Sequence, residues 1–152
     1  MRPADEEGRA ALLRAAEAWN TPVLCSFRRH DLFPNLHPLF AGELGFFNTP
    51  EQLDLLATSD LILAVGTRLG DLTTHGYTFP ASPQPAQRMV HVLRDGALTG
   101  TNYVPDLALA CSARLFLDDL AAAAPAGRAR AEGWSAAVKA ALAPVTTWVP
   151  KT

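Results

Sequence analysis

The sequence DLILAVGTRLGD at residues 60–71 is the clearest indication of the fold. Its apolar run, Leu61–Val65, is too short for a typical helix and ends in Gly66. Such a run predicts a strand buried on both faces, as in a parallel sheet, with a buried helix as the competing interpretation. Parallel sheets bind ligands at the carboxyl ends of their strands, where the loops begin. The stretch therefore predicts both a central strand and, over residues 66–71, the binding loop.

The composition and charge are typical of one soluble globular domain, residues 1–152. Hydrophobic residues make up 49% of the chain and charged residues 18%, and the formal net charge is -2. This length suffices to bury a core. The charge gives no reason to expect nucleic acid or an anionic membrane surface as a partner. No apolar run approaches the roughly 20 residues that span a bilayer, and no secretory signal is recognisable. We therefore expect a cytoplasmic protein.

The two cysteines, Cys25 and Cys111, each lie in an apolar run. We expect both to be small buried hydrophobic residues in a reducing cytosol. A disulfide or a metal pair is the alternative, but no CxxC or Cys/His ligand spacing supports it. The sequence therefore assigns no metal ligand.

Helices and short apolar strands alternate along the chain. Helices are predicted over residues 7–19, 50–58, 113–123 and 128–143, and strands over residues 23–27, 60–65, 88–93 and 107–111. Two long loops are predicted, over residues 28–48 and 66–87, and flexible ends at residues 1–6 and 145–152. The alternation predicts a parallel α/β sheet with right-handed crossovers.

Three ordered segments resemble a known family. They are HPLFAGELGFFNTPEQLDLLATSDLILAVGTRLGD at residues 37–71, RMVHVL at 88–93 and GTNYVPDLAL at 100–109. Together they resemble the central domain of thiamine-diphosphate-dependent enzymes of the acetolactate synthase type, over about residues 13–120. The resemblance implies a three-layer α/β/α Rossmann-like parallel sheet, of the DHS-like NAD/FAD-binding-domain type. The family's first strand and glycine-rich turn would precede residue 7 and are absent here, so we expect the sheet to lack its usual first strand.

The resemblance implies that the chain is the middle domain of a larger, three-domain enzyme. In that family thiamine diphosphate and magnesium lie between the outer two domains, which supply an activating glutamate and a Gly-Asp-Gly…Asn motif. This sequence lacks that motif, so no catalytic residue is assigned and the chain alone is expected to be inactive. The implied parent, a transferase or lyase and a dimer or tetramer, decarboxylates a 2-keto acid and joins the product to an acceptor. The alternative is a stand-alone Rossmann-like nucleotide-binding module without thiamine chemistry.

The resemblance also implies a candidate nucleotide site, because the central domain holds FAD or ADP in some relatives and is empty in others. The matching positions are Gly42, Gly45, Gly66, Arg68 and Asp95. Glycines let backbone amides approach a cofactor closely. Arg68 could bind a diphosphate with two parallel hydrogen bonds, or could instead pair with Asp71 or a neighbouring domain. FAD-binding members carry acids where this chain has Leu93 and Ser112, which counts against the site.

The histidines are assigned structural roles. His37 precedes a proline and is expected to fix its loop by a hydrogen bond. His91 lies within an apolar strand, which favours a hydrogen-bonded core residue. No arrangement typical of a catalytic triad surrounds His30 or His75, and surface packing is the favoured interpretation for His75.

Two further pairs of adjacent residues have open roles. Phe46 and Phe47 could line a flavin or a subunit contact, but packing against the core is favoured. Asp118 and Asp119 are expected on a solvated helix face, because adjacent residues on a helix do not point the same way.

Overall fold

The computed structural model describes residues 3–125, together with residues 136, 137 and 140. Within this part of the chain the helices and strands are α1 Pro3–Trp19, β1 Val23–Ser26, β2 Phe40–Leu44, α2 Pro50–Ala57, β3 Leu61–Val65, β4 Arg88–Leu93, β5 Leu107–Ala110 and α3 Ala113–Ala122. The predicted helix over residues 128–143 falls outside the described residues except at 136, 137 and 140, which are helical. The predicted flexible end at 145–152 lies outside them entirely.

The strands form two parallel sheets rather than one. Strand β1 pairs with β2 in the first sheet, and β3, β4 and β5 are hydrogen-bonded in that order in the second. Among the described residues no strand pairs with the second edge of β1 or of β3. Within the described residues, β3 is therefore not the predicted central strand buried on both faces. It lies at the edge of its sheet, and its first residue, Leu61, is 52% exposed.

Helix α1 lies against both sheets. Its Leu12 belongs to one apolar cluster with Cys25 of β1 and to another with Val65 of β3 and Leu117 of α3. Helix α2 packs on the other face of the first sheet, where its Leu55 lies in a cluster with β1 and β2. The first sheet is therefore covered on both faces, as the α/β pattern requires.

The prediction of one uninterrupted loop over residues 28–48 is wrong. Its residues Phe40–Leu44 form β2, and the ladder with β1 runs from Val23↔Phe40 to Ser26↔Leu44 with an irregularity near its start. Gly42 lies inside this strand with a φ of +93°. A glycine is unusual within a strand and weakens the local pattern. The pairing with β1 is what makes this segment a strand.

The other predicted elements are confirmed with small shifts of their ends. Helix α1 begins at Pro3, so most of the predicted flexible start is helical. Strand β4 has the predicted bounds, and β1, β3, β5, α2 and α3 differ from prediction by one residue at one end. The predicted start of α2 is also confirmed, because Thr49 Oγ1 accepts a hydrogen bond of 3.2 Å from the backbone N–H of Gln52 and Pro50 occupies the first helical position.

Among the described residues, no helix is long and apolar enough to cross a membrane. Both cysteines are unpaired, with Cys25 buried and Cys111 half-buried. The described part of the chain also contains no group of three His, Cys, Asp or Glu side chains placed to hold a metal ion.

Candidate functional site

The carboxyl ends of β1, β3 and β4 meet at one edge of the molecule. The Ser26 hydroxyl, at the end of β1, donates a hydrogen bond of 3.0 Å to Thr67 Oγ1, just beyond β3. His91 Nε2 of β4 lies 2.8 Å from the backbone oxygen of Thr67. We call the ends of the strands and the loops that follow them here the carboxyl edge. Ligands of parallel α/β sheets bind at such an edge, so this is the candidate site.

Three of the five predicted site residues lie at the carboxyl edge of the second sheet. Gly66 follows β3 in the left-handed region, with a φ of +67°. Arg68 is exposed, and no carboxylate of the described residues, Asp71 included, lies within ion-pair distance of it. Asp95 follows β4, but its Oδ1 already accepts a hydrogen bond of 3.0 Å from the backbone N–H of Ala97. Arg68 is therefore the group with the most unused hydrogen-bonding capacity.

The other two predicted residues, Gly42 and Gly45, lie on the first sheet. Gly42 is inside β2, and Gly45 directly follows it and is buried. A Cβ atom at Gly45 would lie 2.9 Å from Cδ2 of Phe27. Packing of the Phe27 ring therefore explains this glycine without a cofactor. The five predicted positions are divided between two sheets, which the Ser26–Thr67 hydrogen bond connects.

Asn48 organises the loops at the end of β2, and the sequence analysis did not identify this role. Its Oδ1 accepts a hydrogen bond of 2.8 Å from the Gly45 N–H and lies 3.0 Å from His75 Nε2. Its Nδ2 donates to the backbone oxygen of Glu43 at 2.8 Å and to Gln52 Oε1 at 2.9 Å. The side chain thus connects β2, the first turn of α2 and the long loop after β3. The sequence signal, an asparagine just before a helix, predicts only a cap, and Thr49 fills that role.

The two phenylalanines after β2 are exposed, so the prediction that they pack against the core is wrong. Phe46 is 61% exposed and Phe47 is 78% exposed. The Phe46 ring touches the Phe27 ring edge-on, with centroids 5.4 Å apart. Both residues lie in the short turn that Asn48 closes onto Gly45, and this turn directs them away from the core. The candidate site is therefore flanked by two exposed aromatic rings.

The structure confirms the structural role of His37 and revises that of His91. His37 Nδ1 accepts a hydrogen bond of 3.1 Å from the Leu39 N–H, and its Nε2 lies 3.3 Å from Glu17 Oε1. These contacts fix the loop before β2. His91 is buried with 2% exposure, but among the described residues its Nδ1 has no hydrogen-bond partner. This core histidine is therefore only half hydrogen-bonded.

Asp118 lies on the partly exposed surface of α3, as predicted, but its carboxylate is paired with two arginines. Its Oδ1 lies 2.6 Å from the Arg14 guanidinium of α1, and its Oδ2 lies 3.3 Å from Arg114. The pair with Arg14 joins α1 to α3 on the surface of the molecule, and the pair with Arg114 lies within α3.

The buried thiol nearest to the candidate site is not an activated nucleophile. Burial, together with the smaller effect of the nearby Asp31 and Glu43 carboxylates, raises the pKa of Cys25 from 9.0 to about 11. The pKa of Asp31 is itself lowered, because its carboxylate accepts a hydrogen bond from Arg29. At neutral pH the Cys25 thiol therefore keeps its proton.

Two clefts lie away from the carboxyl edge. One, of about 440 Å³, is at the amino ends of β3, β4 and β5 and is lined by Arg88 and Asp106 among other residues. The second, of about 270 Å³, lies between α1 and the segment that contains Asp31 and Phe33. Both are shallow and open, and neither includes a predicted site residue.

Comparison with known proteins gives a consistent result. Residues 4–120 match the family described as thiamine pyrophosphate enzyme, central domain. The sulfoacetaldehyde acetyltransferase of Roseovarius nubinhibens is 37% identical over 78 residues, 51% of this chain and 13% of that protein. The same-named protein of Castellaniella defragrans is 39% identical over 88 residues, 56% of this chain and 14% of that protein. A probable acetolactate synthase large subunit of Methanocaldococcus jannaschii is 31% identical over 112 residues, 74% of this chain and 18% of that protein. The chain spans less than a fifth of the length of these curated relatives.

Proposed function

Because this chain belongs to the family of thiamine pyrophosphate enzyme central domains, we propose that it is the middle module of an enzyme of the acetolactate synthase or sulfoacetaldehyde acetyltransferase type. The observation that carries the proposal is the family match over residues 4–120 in a chain that spans 11–18% of its relatives' length. A complete enzyme of the acetolactate synthase type would decarboxylate a 2-keto acid, join the product to an acceptor and act as a homo-oligomer. In this proposal the chain contributes architecture and no catalytic residue.

Thiamine diphosphate and magnesium would be bound by the other domains of the enzyme. Magnesium prefers carboxylate and other oxygen ligands, and the described residues offer no cluster of three acidic, His or Cys side chains. No residue described here is therefore assigned as a ligand of the metal, and no step of the reaction is assigned to this chain.

A chimera tests the module proposal. Residues 4–120 of this chain replace the matching segment of the Methanocaldococcus jannaschii relative, and acetolactate formation from pyruvate is measured with thiamine diphosphate and magnesium. We expect a folded, active chimera, no activity from the isolated chain, and none from the relative with that segment deleted. A folded chimera that lacks activity, or an active isolated chain, would contradict the proposal.

In the complete protein we infer one further strand between β1 and β3. Both strands have a free edge among the described residues, and Leu12 of α1 contacts the clusters on both sides of the gap. Crossovers between parallel strands are right-handed, so a strand leading into α1 would lie beside β1, on the side of β3. The two sheets would then form one six-stranded Rossmann-like sheet.

The strand inference has its own measurement. The segment that precedes the matched region in the Methanocaldococcus jannaschii relative is fused ahead of this chain, and urea unfolding is compared with the unmodified chain. We expect a higher free energy of unfolding and a larger m value, because more surface is buried. Unchanged values for both quantities would rule the inference out.

A nucleotide site for FAD or ADP at the carboxyl edge is a further proposal, and it also serves the alternative function of a stand-alone nucleotide-binding module. Arg68 supports it most strongly, because it is exposed, has no ion-pair partner among the described residues, and a guanidinium can bind a diphosphate with two hydrogen bonds. The left-handed Gly66 beside it adds a close backbone approach. Asp95 and Gly45 give weaker support, because a turn engages the first and the Phe27 ring packs against the second.

Thermal unfolding with and without FAD or ADP tests this site. A ligand at about 100 times its Kd adds roughly 2.7 kcal/mol of stability, which raises the Tm of a chain this size by about 5–10 °C. Arg68→Ala should abolish the shift. The matched control is Arg88→Ala, at the amino end of β4 with a side chain that is 81% exposed, and it should retain the shift. No shift in the unmodified chain, or an equal shift in both variants, would contradict the proposal.

A further inference from the structure

The loop that displays Arg68 has a strained backbone. Gly66 and Leu69 both lie in the left-handed region, with φ values of +67° and +48°. The second is costly for a residue with a Cβ atom. Leu69 is also buried, with 4% exposure, in a cluster with Met89 and Tyr103. Such a conformation persists only where the surrounding structure holds it.

Backbone hydrogen bonds hold the two ends of this loop at Gly66 and Gly70, and Asn102 donates to the Arg68 backbone oxygen at 3.3 Å, but Thr67 is the residue through which both sheets hold it. Its Oγ1 accepts hydrogen bonds from the Ser26 hydroxyl at 3.0 Å and from the Leu69 N–H at 3.2 Å. Its backbone oxygen lies 2.8 Å from His91 Nε2. The residue before Arg68 is therefore fixed at its side chain by the first sheet and at its main chain by the second.

His91 occupies a buried position whose strand neighbours are small and apolar. In the ladder of the second sheet it lies between Ala64 of β3 and Ala108 of β5, whose small side chains leave room for the imidazole. Because the Thr67 carbonyl oxygen can only accept, Nε2 carries the proton and Nδ1 is the acceptor. Nδ1 is buried without a partner among the described residues, which costs free energy. An apolar residue of similar size could fill this position, but it could not donate the hydrogen bond to the Thr67 carbonyl oxygen.

We propose that His91 is a positioning residue for the binding loop. Acting through the Thr67 carbonyl, it holds residues 66–70 in the strained conformation that presents Arg68 to solvent at the carboxyl edge. It does not itself touch a ligand. The holding of the loop stands on the contacts alone, and only its use for anion binding rests on the proposed nucleotide site.

Amide hydrogen exchange of the isolated chain tests the holding of the loop directly. His91→Phe keeps a planar ring but removes the donor, and a net hydrogen bond of ordinary strength corresponds to about a fivefold rise in exchange at the Leu69 amide. Amides in the β3–β4 and β4–β5 ladders should keep their protection. His91→Gln, which carries an N–H donor at a similar distance from the backbone, should restore most of the protection. An unchanged Leu69 amide, or an equal rise throughout β3, β4 and β5, would overturn the proposal.

Ser26→Ala provides a second, independent variant in case His91→Phe fails to fold. It removes the other hydrogen bond to Thr67, so it should also raise exchange at Leu69, again by about fivefold. Because both side chains act on Thr67, the double variant should depart from additivity. No rise in exchange with Ser26→Ala, or a strictly additive double variant, would count against a shared role.

ADP binding separates this inference from the nucleotide proposal. Where the unmodified chain binds ADP, His91→Phe should weaken binding by about the same factor as it raises exchange at Leu69, and His91→Gln should recover it. Unchanged ADP affinity in His91→Phe, with the exchange effect present, would refute the role in binding. Failure of the unmodified chain to bind ADP would refute the nucleotide proposal and the anion-binding use of the loop. The hydrogen-exchange result would still show whether His91 stabilises the loop conformation.

Discussion

Replacing Asn48 should be the most destabilising single change among the polar residues of the candidate site. Asn48→Ala removes four contacts of 2.8–3.0 Å, to the Gly45 N–H, the Glu43 carbonyl, Gln52 Oε1 and His75 Nε2. At a net value of about 1 kcal/mol each, the upper bound is about 4 kcal/mol. Asn48 is half-buried, so water replaces part of this loss. We expect a decrease of about 2–3 kcal/mol in the free energy of unfolding, or a Tm lower by about 5–10 °C.

Urea unfolding followed by circular dichroism measures this loss. The matched control is Asn102→Ala, because the Asn102 side chain makes one exposed hydrogen bond of 3.3 Å, to the backbone oxygen of Arg68. We expect the control to lose less than about 1 kcal/mol. Asn48→Asp keeps an acceptor for the Gly45 N–H but loses both donated hydrogen bonds, so its loss should be intermediate. If Asn48→Ala and Asn102→Ala were equally destabilising, the connecting role of Asn48 would be refuted.

Three further predictions concern stability. The folded-state pKa of Cys25 is raised to about 11 from 9.0, so the folded state favours the neutral thiol. The contribution of this thiol to the free energy of unfolding should therefore be constant below about pH 9. It should fall by up to about 3 kcal/mol as the pH rises to about 11. Urea titrations across this range should reveal the decrease, and Cys25→Ala should lack it. Gly66→Ala should lower the free energy of unfolding by about 1–2 kcal/mol, because Gly66 has a positive φ. Gly8→Ala, in α1 with no atom within 4 Å of the added Cβ, should raise it by about 0.5–1 kcal/mol. Thermal unfolding should show a lower Tm for the first variant and a higher Tm for the second, and Tm shifts of the same sign would contradict the prediction. Asp118→Asn, which breaks the surface pair with Arg14, should lower the free energy of unfolding by less than about 1 kcal/mol, and 1 M salt should remove this difference. A difference that persists in 1 M salt would contradict an ionic origin.

The geometry of the candidate site was only partly predictable from the sequence. Arg68 and Gly66 could be located because they directly follow the apolar run of β3, and the ends of parallel strands meet at one edge. The sequence could not reveal that Phe27 packs against Gly45 at 2.9 Å, nor that Asp95 is engaged in a turn. Both contacts depend on how a loop closes, and apolar periodicity carries no information about that closure.

Local signals in the sequence were enough for the α/β class, for most helix and strand bounds and for the family. The apolar run of β3, the Thr49 cap with Pro50, and the alanine-rich face of α1 act between residues close in the chain, so they can be recognised without knowing the fold. Strand β2, the gap between the two sheets and the exposure of Phe46 depend on how distant segments pack, and the contacts Asn48–His75 and His91–Thr67 join residues 27 and 24 positions apart. Strand pairing and side-chain burial are properties of the folded chain. The segment that hydrogen-bonds to a strand edge, or that buries a ring, comes into contact with it only when distant segments pack together.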